Sequence, residues 1–401
     1  MKIIIMCYPL VKNMEIKSIK LDNVDENTRA ITIKTSESDI ETPNRAISTS
    51  EINKIKGMRN RADEPPGPFD VVEEEFNWQI YQTPLEYTPK VRRNIDGING
   101  LRNKINAVRS TVNTPKNMLE EEEYKNILKL IYPKITQKDK IETPYMTALM
   151  EIQLQAGVDV IVIPEPYYNS TYEDFVNNLE TSIKFLEASD NEKPIMPIVG
   201  IKTNKDRFVN KLDYILDQHL NPKKDFGLLG ISCKVYSSQF NLHVLRDMSD
   251  KFEKYWIHGF DAFRNQAKKT FYNPHAVTIW GIDTVGVTPQ GRYIPGVTDA
   301  RNGNNGNQEI NLRMYTEDSW GIHKGSQTFV ETHLCNCDGC DYYRRTTDVD
   351  KLQNSLDVHE IIQSHNQIVG SRQNIEENEY LRLVRDKRDF RDYYESSVGD
   401  I

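Results

Sequence analysis

The 401-residue sequence predicts an α/β fold built on a parallel sheet, with a zinc-binding segment near its carboxyl end. From about residue 159, strand-like and helix-like segments alternate roughly every 30 residues, which indicates right-handed βα units. A TIM barrel and a doubly wound sheet both give this rhythm. No Gly-x-Gly-x-x-Gly follows an early strand, so the dinucleotide-binding version of the doubly wound sheet loses support. Three clustered cysteines, Cys335, Cys337 and Cys340, predict the zinc site.

The individual elements follow from hydrophobic patterning along the chain. Residues 1–65 mix short strand-like runs with polar stretches, and residues 100–155 carry helical patterns. The later predicted strands are Asp159–Ile163, Ile195–Val199, Phe226–Ser232, Tyr255–Gly259 and Ala276–Trp280. The later predicted helices are Tyr172–Leu186, Phe208–Leu220, Leu242–Phe252, a short one over Ala262–Thr270, and a helical region from Val349 to about Glu395. Asp299–Gln308 is polar and rich in glycine and asparagine, which predicts a flexible loop.

Composition excludes some classes of protein. Hydrophobic residues make up 38% and charged residues 27%, enough for a packed core. No run approaches the ~20 apolar residues of a membrane span, and the apolar start of the chain has no signal cleavage site, so we expect a cytoplasmic location. The net charge of -8 argues against a protein that coats nucleic acid, but it is compatible with a local basic face.

The cysteines point to metal rather than to disulfides. Five cysteines, three of them within six residues, form a poor disulfide framework and indicate a reducing compartment. Cys-x-Cys-x-x-Cys places three thiolates on one tight turn, and zinc requires a fourth ligand. His359 and His365 follow in a helical stretch, whereas His333 is too close to chelate without strain. Metal-free cysteines and an iron–sulfur cluster are the alternatives, and a closed zinc site with a folding role is favoured.

The spacing of this cluster resembles that of a known zinc site. Cys-x-Cys-x-x-Cys followed by the pair His365-Asn366 resembles the zinc site of tRNA-guanine transglycosylases, and this favours His365 over His359 as the fourth ligand. Other segments resemble the same family in the same order. They are Glu41–Pro43, Gly157–Tyr167, Pro194–Gly200, Gly227–Gly230, Tyr255–Gly259, Val277–Thr284 and Gly291–Tyr293.

The resemblance implies a TIM (β/α)8 barrel over residues 1–310, including N-terminal strands, and a zinc-binding subdomain with closing helices over 311–401. It also implies replacement of guanine in tRNA or DNA by a 7-deazaguanine, with Zn²⁺ as cofactor and nucleic acid and the free base as partners. A homodimer is left open, and no membrane is involved. The family's Asp-Ser-Gly-Gly motif is missing, which favours a divergent branch that modifies DNA.

The resemblance also assigns site residues. Asp283 matches the nucleophile, and Asp96 is the nearest candidate for the missing motif's aspartate. Glu165 matches the residue that reads the base. Three glycines match positions that meet the base, namely Gly200, Gly227 and Gly230. The structural alternatives are a helix or turn cap for Asp283, a solvated loop acid for Glu165 and an ordinary Asp-Gly turn for Asp96.

Nucleic-acid contacts are expected from arginines beside the zinc turn. Arg344 and Arg345 are the candidates for phosphate binding. Basic residues of the last helix alternate with acids, which is typical of a solvated face; they are Arg382, Arg385, Lys387, Arg388 and Arg391. Two other functions compete with base exchange. One is a non-catalytic nucleic-acid-binding subunit, and the other is an unrelated zinc-stabilised enzyme acting on a small molecule.

Overall fold

The computed structural model describes most of the chain, in several stretches. These are residues 14–25, 28–59, 78–117, 124–135, 138–201, 203–218, 220–221, 223–233, 239–262, 277–287 and 312–387. Several sequence expectations lie outside them: the loop 299–308, the segment 291–293, the short helix after residue 262, and Arg388 and Arg391. Within the described part, no helix is long and apolar enough to cross a membrane.

Thirteen strands and eleven α-helices are described. The strands are β1 Ile16–Asp25, β2 Thr28–Thr35, β3 Asp39–Glu41, β4 Asn44–Ser48, β5 Ile80–Tyr87, β6 Leu128–Ile135, β7 Ile161–Ile163, β8 Ile195–Gly200, β9 Gly227–Ser232, β10 Tyr255–Phe260, β11 Thr284–Gly286, β12 Leu312–Thr316 and β13 Gly321–Gly325. The helices are α1 Thr49–Arg59, α2 Pro89–Asn94, α3 Gly97–Val112, α4 Thr143–Ala156, α5 Tyr172–Ala188, α6 Lys205–Gln218, α7 Gln239–Asp247, α8 Gln327–Thr332, α9 Asp338–Arg345, α10 Val349–Glu376 and α11 Tyr380–Asp386.

Strands β4 to β11 form a parallel, nearly closed barrel. Each strand pairs in parallel with the next one along the chain, and β11 returns to pair with β4. The ring closes between β6 and β7 through a parallel bridge from Leu130 to Val160. Sequence order and spatial order therefore coincide, as in a TIM-like barrel, and all eight carboxyl ends lie on one face.

The barrel interior is packed, and its amino end is covered. Inward-facing side chains such as Leu128, Met196 and Trp256 form one apolar cluster with Ile16 and Ile31 of an antiparallel sheet, β1–β2–β3. This cluster closes the amino end of the barrel. The open face that remains is the carboxyl end, which is where barrel enzymes place their chemistry.

Helix α10 joins the cysteine segment to the barrel. It packs against β12 and α9 on one side and against β1, β2 and β4 on the other. Arg372 near its end donates to the backbone oxygens of Ile31 and Thr42 and pairs with Asp22. The helix ends at Glu376, and Asn378, in a left-handed conformation (φ 56°), precedes the separate helix α11.

One predicted strand is wrong. Residues 277–280 form a helical turn rather than the end of a strand at 276–280, and the eighth barrel strand begins at Thr284. Gly281, at φ 81°, ends this turn before β11. This shift of a few residues decides where Asp283 lies.

Candidate active site and metal centre

A narrow cleft with about 30 Å³ of free volume opens at the carboxyl ends of β6 to β9. Its lining combines aromatic and apolar groups with a few polar ones: Tyr132, Pro133, Ile135, Pro164, Glu165, Tyr167, Tyr168, Asn169, Ile198, Gly200 and Ser232. Aromatic and apolar walls with a small number of fixed polar groups are typical of ligand sites, but this cleft must widen before it can admit anything larger than water.

Glu165 and Gly200, both proposed from sequence, come together in this cleft. The backbone N–H of Gly200 donates to Oε1 of Glu165 over 3.2 Å. The buried ammonium of Lys211, on α6, donates to the same oxygen over 2.7 Å. Among the described residues, no hydrogen bond involves Oε2 of Glu165, so this oxygen is the one available to a ligand.

A second carboxylate lies behind the cleft wall. Asp261 directly follows β10, has no exposed surface and adopts φ 53°. Its Oδ2 accepts a hydrogen bond from the Tyr132 hydroxyl over 3.0 Å, and its Oδ1 lies 3.6 Å from Nζ of Lys134. The Tyr132 hydroxyl also lies 3.4 Å from Ser232 Oγ. Burial, and then the charge of Asp261, raise the pKa of Tyr132 well above its usual range, so this phenol remains a hydrogen-bond donor.

A polar chain lies inside the barrel, below Phe260. His258 Nε2 donates to Gln82 Oε1 over 2.7 Å, and its Nδ1 accepts from the Thr284 hydroxyl over 2.6 Å. The Thr284 oxygen in turn accepts from the indole N–H of Trp256. Burial lowers the pKa of His258 to about 3, so the imidazole is neutral. A fully satisfied chain of this kind fixes side-chain positions inside the barrel.

The structure does not support Asp283 as nucleophile. Because Asp283 precedes β11, it lies at the amino end of the barrel, opposite the cleft. Its Oδ1 pairs with Arg29 Nε over 2.8 Å, and its Oδ2 accepts from the backbone N–H of Ile257. Burial raises its pKa to about 6 although Arg29 acts against this. Asp283 therefore ties the N-terminal sheet to the barrel.

The structure also places three other predicted site residues away from the cleft. Gly227 begins β9 at the amino end, where a Cβ would lie 2.1 Å from the Tyr255 ring, so it does not meet a base in the cleft. Gly230 faces the interior, where a Cβ would lie 2.7 Å from Phe260, so it makes room for core packing. Asp96 is exposed before α3, without a side-chain capping bond, and does not line the cleft.

The three clustered cysteines meet one histidine. Cys335, Cys337, Cys340 and His359 bring their ligand atoms within 4.8 Å of one another. Nδ1 of His359 lies 3.4, 3.3 and 3.2 Å from the three sulfur atoms, in that order, and the sulfurs of Cys335 and Cys340 are 3.6 Å apart. Tetrahedral zinc sites imply about 3.8 Å between sulfurs and about 3.5 Å between sulfur and nitrogen. The donor set and its spacing therefore fit one four-coordinate metal ion.

Surrounding groups orient these ligands. His359 Nε2 donates to the backbone oxygen of Tyr315 over 2.9 Å, which leaves Nδ1 as the ligand atom. Gln363 Nε2 lies 3.4 Å from the Cys335 sulfur. Gly339 lets α9 approach α10 closely, since a Cβ there would lie 2.5 Å from the backbone N of His359 and the backbone O of Ser355.

His365 is not the fourth ligand. Its ring stacks on Trp78 at 3.8 Å between centroids, on another side of α10. Burial, with a smaller effect from Arg45, lowers its pKa to about 3. The prediction from the His-Asn pair is therefore corrected, and His359, the alternative considered from sequence, takes this place.

The two arginines beside the cysteine turn already have partners. Arg344 pairs with Asp341 over 3.0 Å and donates to the backbone oxygen of Cys335, and Arg345 lies 3.8 Å from Asp341. Both remain partly exposed. Their first role in the structure is to brace the turn that carries the cysteines.

Two residues of the cleft region were missed from sequence. Asp261 lies two residues after the predicted strand Tyr255–Gly259, so a search for carboxylates near strand ends, which selected Asp283, would have included it. Lys211 lies in the middle of a predicted helix, where no local signal marks a buried cation. A search against protein-family models finds no match, and none of the curated proteins matches this chain significantly.

Proposed function

We propose that the chain is a base-exchange transglycosylase that replaces guanine in tRNA or DNA with a 7-deazaguanine at the carboxyl end of the barrel. The observation that carries the proposal is the lining of the narrow cleft, which combines aromatic and apolar groups with the open carboxylate oxygen of Glu165. Guanine and 7-deazaguanine share the same N1–H and amino edge, so one acceptor serves both the departing and the incoming base.

The sugar requires a second carboxylate, and we assign this role to Asp261 in place of Asp283. In the first step a carboxylate oxygen bonds to C1′, the glycosidic C–N bond breaks, and its electron pair leaves with guanine, which takes a proton from solvent at N9. In the second step N9 of the incoming base gives its proton to solvent and bonds to C1′, and the C1′–O bond to the carboxylate breaks. Because Asp261 is buried and bonded to Tyr132, substrate binding must first displace that tyrosine.

The cysteine cluster would hold zinc away from this chemistry. Three thiolates and His359 complete a tetrahedron without an open position, so the ion would stabilise the fold rather than activate water. This agrees with its place between α9 and α10 rather than in the cleft.

The test is a covalent trap. Full-length protein is mixed with tRNA or duplex DNA and labelled guanine, quenched in denaturant, and examined for a protein–nucleic acid adduct and for label exchange. We expect both from the native sequence. Asp261→Asn should abolish the adduct and lower exchange by at least about a thousandfold, since an amide is a poor nucleophile. Tyr132→Phe, which removes the hydrogen bond but keeps the carboxylate, should still form the adduct.

A non-catalytic nucleic-acid-binding subunit is the second candidate. One observation favours it: among the described residues, Glu165 is the only carboxylate that lines the cleft, while Asp261 is covered. Nucleic-acid binding without any adduct or exchange, in the native sequence and in Asp261→Asn alike, would select this alternative and reject base exchange.

A further inference from the structure

The ammonium group of Lys211 holds neighbouring protein groups in position and does not contact a ligand. Its side chain has no exposed surface, and its ammonium has three acceptors around it. These are Glu165 Oε1 at 2.7 Å, the backbone oxygen of Ser170 at 3.0 Å and the Ser170 hydroxyl at 3.1 Å. An ammonium has three N–H donors, so none remains for a ligand in the cleft.

Glu165, the partner of Lys211, is the only carboxylate among the described residues that line the cleft. Its side chain is only 8% exposed. Lys211 and the Gly200 N–H both donate to Oε1, which leaves Oε2 as the oxygen without a hydrogen bond among the described residues. The lysine therefore fixes which oxygen of Glu165 the cleft offers as an acceptor.

The geometry points to Lys211 as the positioning residue that sets the selectivity of the cleft. By holding Oε1 of Glu165, it fixes Oε2 as an acceptor that selects a planar ring whose edge carries N–H donors, and it disfavours a ring that presents an acceptor nitrogen at the same edge. The identity of that ring as a guanine-type base rests on the proposed function. The ring would contact lining residues such as Tyr132 and Ile198 once the narrow cleft widens.

The experiment measures equilibrium binding of two free bases, 9-methylguanine and 9-methyladenine, to the full chain by calorimetry at neutral pH. The methyl group stands in for C1′. Guanine presents N1–H and an amine, whereas adenine presents an acceptor N1 beside its amine. We expect the native sequence to prefer 9-methylguanine by roughly tenfold to a hundredfold, the range for hydrogen bonds to a charged group. Lys211→Met should bring this ratio close to one, because Glu165 then loses the ammonium that holds Oε1 and its acceptor oxygen no longer has a fixed position.

Lys184→Met is the matched control, since Lys184 is an exposed lysine on α5 that makes only a surface ion pair. It should leave the ratio unchanged. If Lys211→Met does not fold, the double variant Lys211→Met/Glu165→Gln removes both charges, avoids an unpaired buried ion and should also lose the preference. Equal binding of both bases by the native sequence overturns the inference, and so does a preference that survives in a folded Lys211→Met or in the double variant.

These outcomes separate the two proposals. Selective binding of 9-methylguanine without exchange into nucleic acid rejects the proposed function and leaves the role of Lys211 intact. Exchange with an unchanged base preference in Lys211→Met rejects the role of Lys211 and leaves the proposed function intact.

Discussion

His365 shows what a single buried side chain does to stability. Its pKa is lowered to about 3 by burial, whereas an unfolded histidine titrates near 6.5. Below pH about 6.5 the unfolded chain therefore binds a proton that the folded chain does not, and the folded state loses stability as pH falls toward 3. The neutral ring contributes its full stability only above this window.

We predict that His365→Phe removes this pH dependence while it keeps the stacking on Trp78. Relative to the native sequence, the variant should gain about 2 kcal/mol in free energy of unfolding between pH 7 and pH 5. Urea unfolding at both pH values measures the difference. Asp159 and Asp283, whose pKa values burial raises to about 6, titrate in both proteins and cancel.

The exposed His333 provides the control, and His333→Gln should show no such gain. His365→Phe should also retain its metal. A gain that is equal at both pH values would show that His365 is not held neutral, and loss of the metal would show that it is a ligand.

Single residues also show where sequence reasoning succeeded. The three cysteines are local, so their grouping followed from spacing alone. The fourth ligand was a choice between two histidines six residues apart, whose side chains point about 120° apart around a helix. Only the packing of α10 decides which of them faces the cysteines. Here the resemblance favoured the wrong one, because spacing along the chain carries no information about which face of a helix is buried.

At the scale of elements, the metal centre depends on how closely α9 approaches α10. Gly339 lies where a side chain would meet backbone atoms of Ser355 and His359 at 2.5 Å. Backbone atoms cannot turn away as a flexible side chain can, so the helices would have to separate. Separation would move Cys337 and Cys340 away from His359.

We predict that Gly339→Ala weakens zinc binding and lowers stability by about 1–3 kcal/mol, as overpacking does in a filled core. Zinc content after dialysis and the thermal midpoint report the two effects. The matched control is Gly370→Ala on α10, where a Cβ meets nothing within 4 Å. It should bind zinc normally and be slightly more stable, because alanine favours a helix. Equal behaviour of the two variants would contradict the close approach.

The structure of one element also explains why the role predicted for Asp283 was wrong. The apolar run before it was read as a strand, but short apolar runs do not distinguish a strand from a buried helical turn. Gly281 was the available signal, since a glycine inside such a run often marks a break. The strands from β7 to β10 match their predicted positions, and β7, β8 and β9 each lie between two helices.

At the scale of the whole molecule, α10 links the candidate metal site of Cys335, Cys337, Cys340 and His359 to the barrel. His359 lies in the same helix as Arg372, which holds the N-terminal sheet. We predict that removing the metal with a chelator lowers the thermal midpoint of the barrel itself, by roughly 10 °C, in a single transition. Far-UV and near-UV circular dichroism should give the same midpoint, and added zinc should restore it.

His359→Ala should reproduce the effect of the chelator, and the chelator should then change nothing further. Two separate transitions, with the barrel midpoint unaltered, would show that the cysteine segment unfolds independently.

The closure of the barrel has a consequence for hydrogen exchange. Strands β5 and β6 are joined by eight residue pairs, the first between Ile80 and Leu128 and the last between Tyr87 and Ile135. Among the described residues, β6 and β7 are joined by a single bridge. The barrel thus has a seam between β6 and β7 with little main-chain pairing. The cleft with Tyr132 and Glu165 lies at the carboxyl end of this seam. Amide protons along this seam should exchange faster than those of the opposite wall, β9 to β11. The same opening would let Tyr132 swing away from Asp261, so the place where the barrel is most weakly closed is also where a buried carboxylate is uncovered.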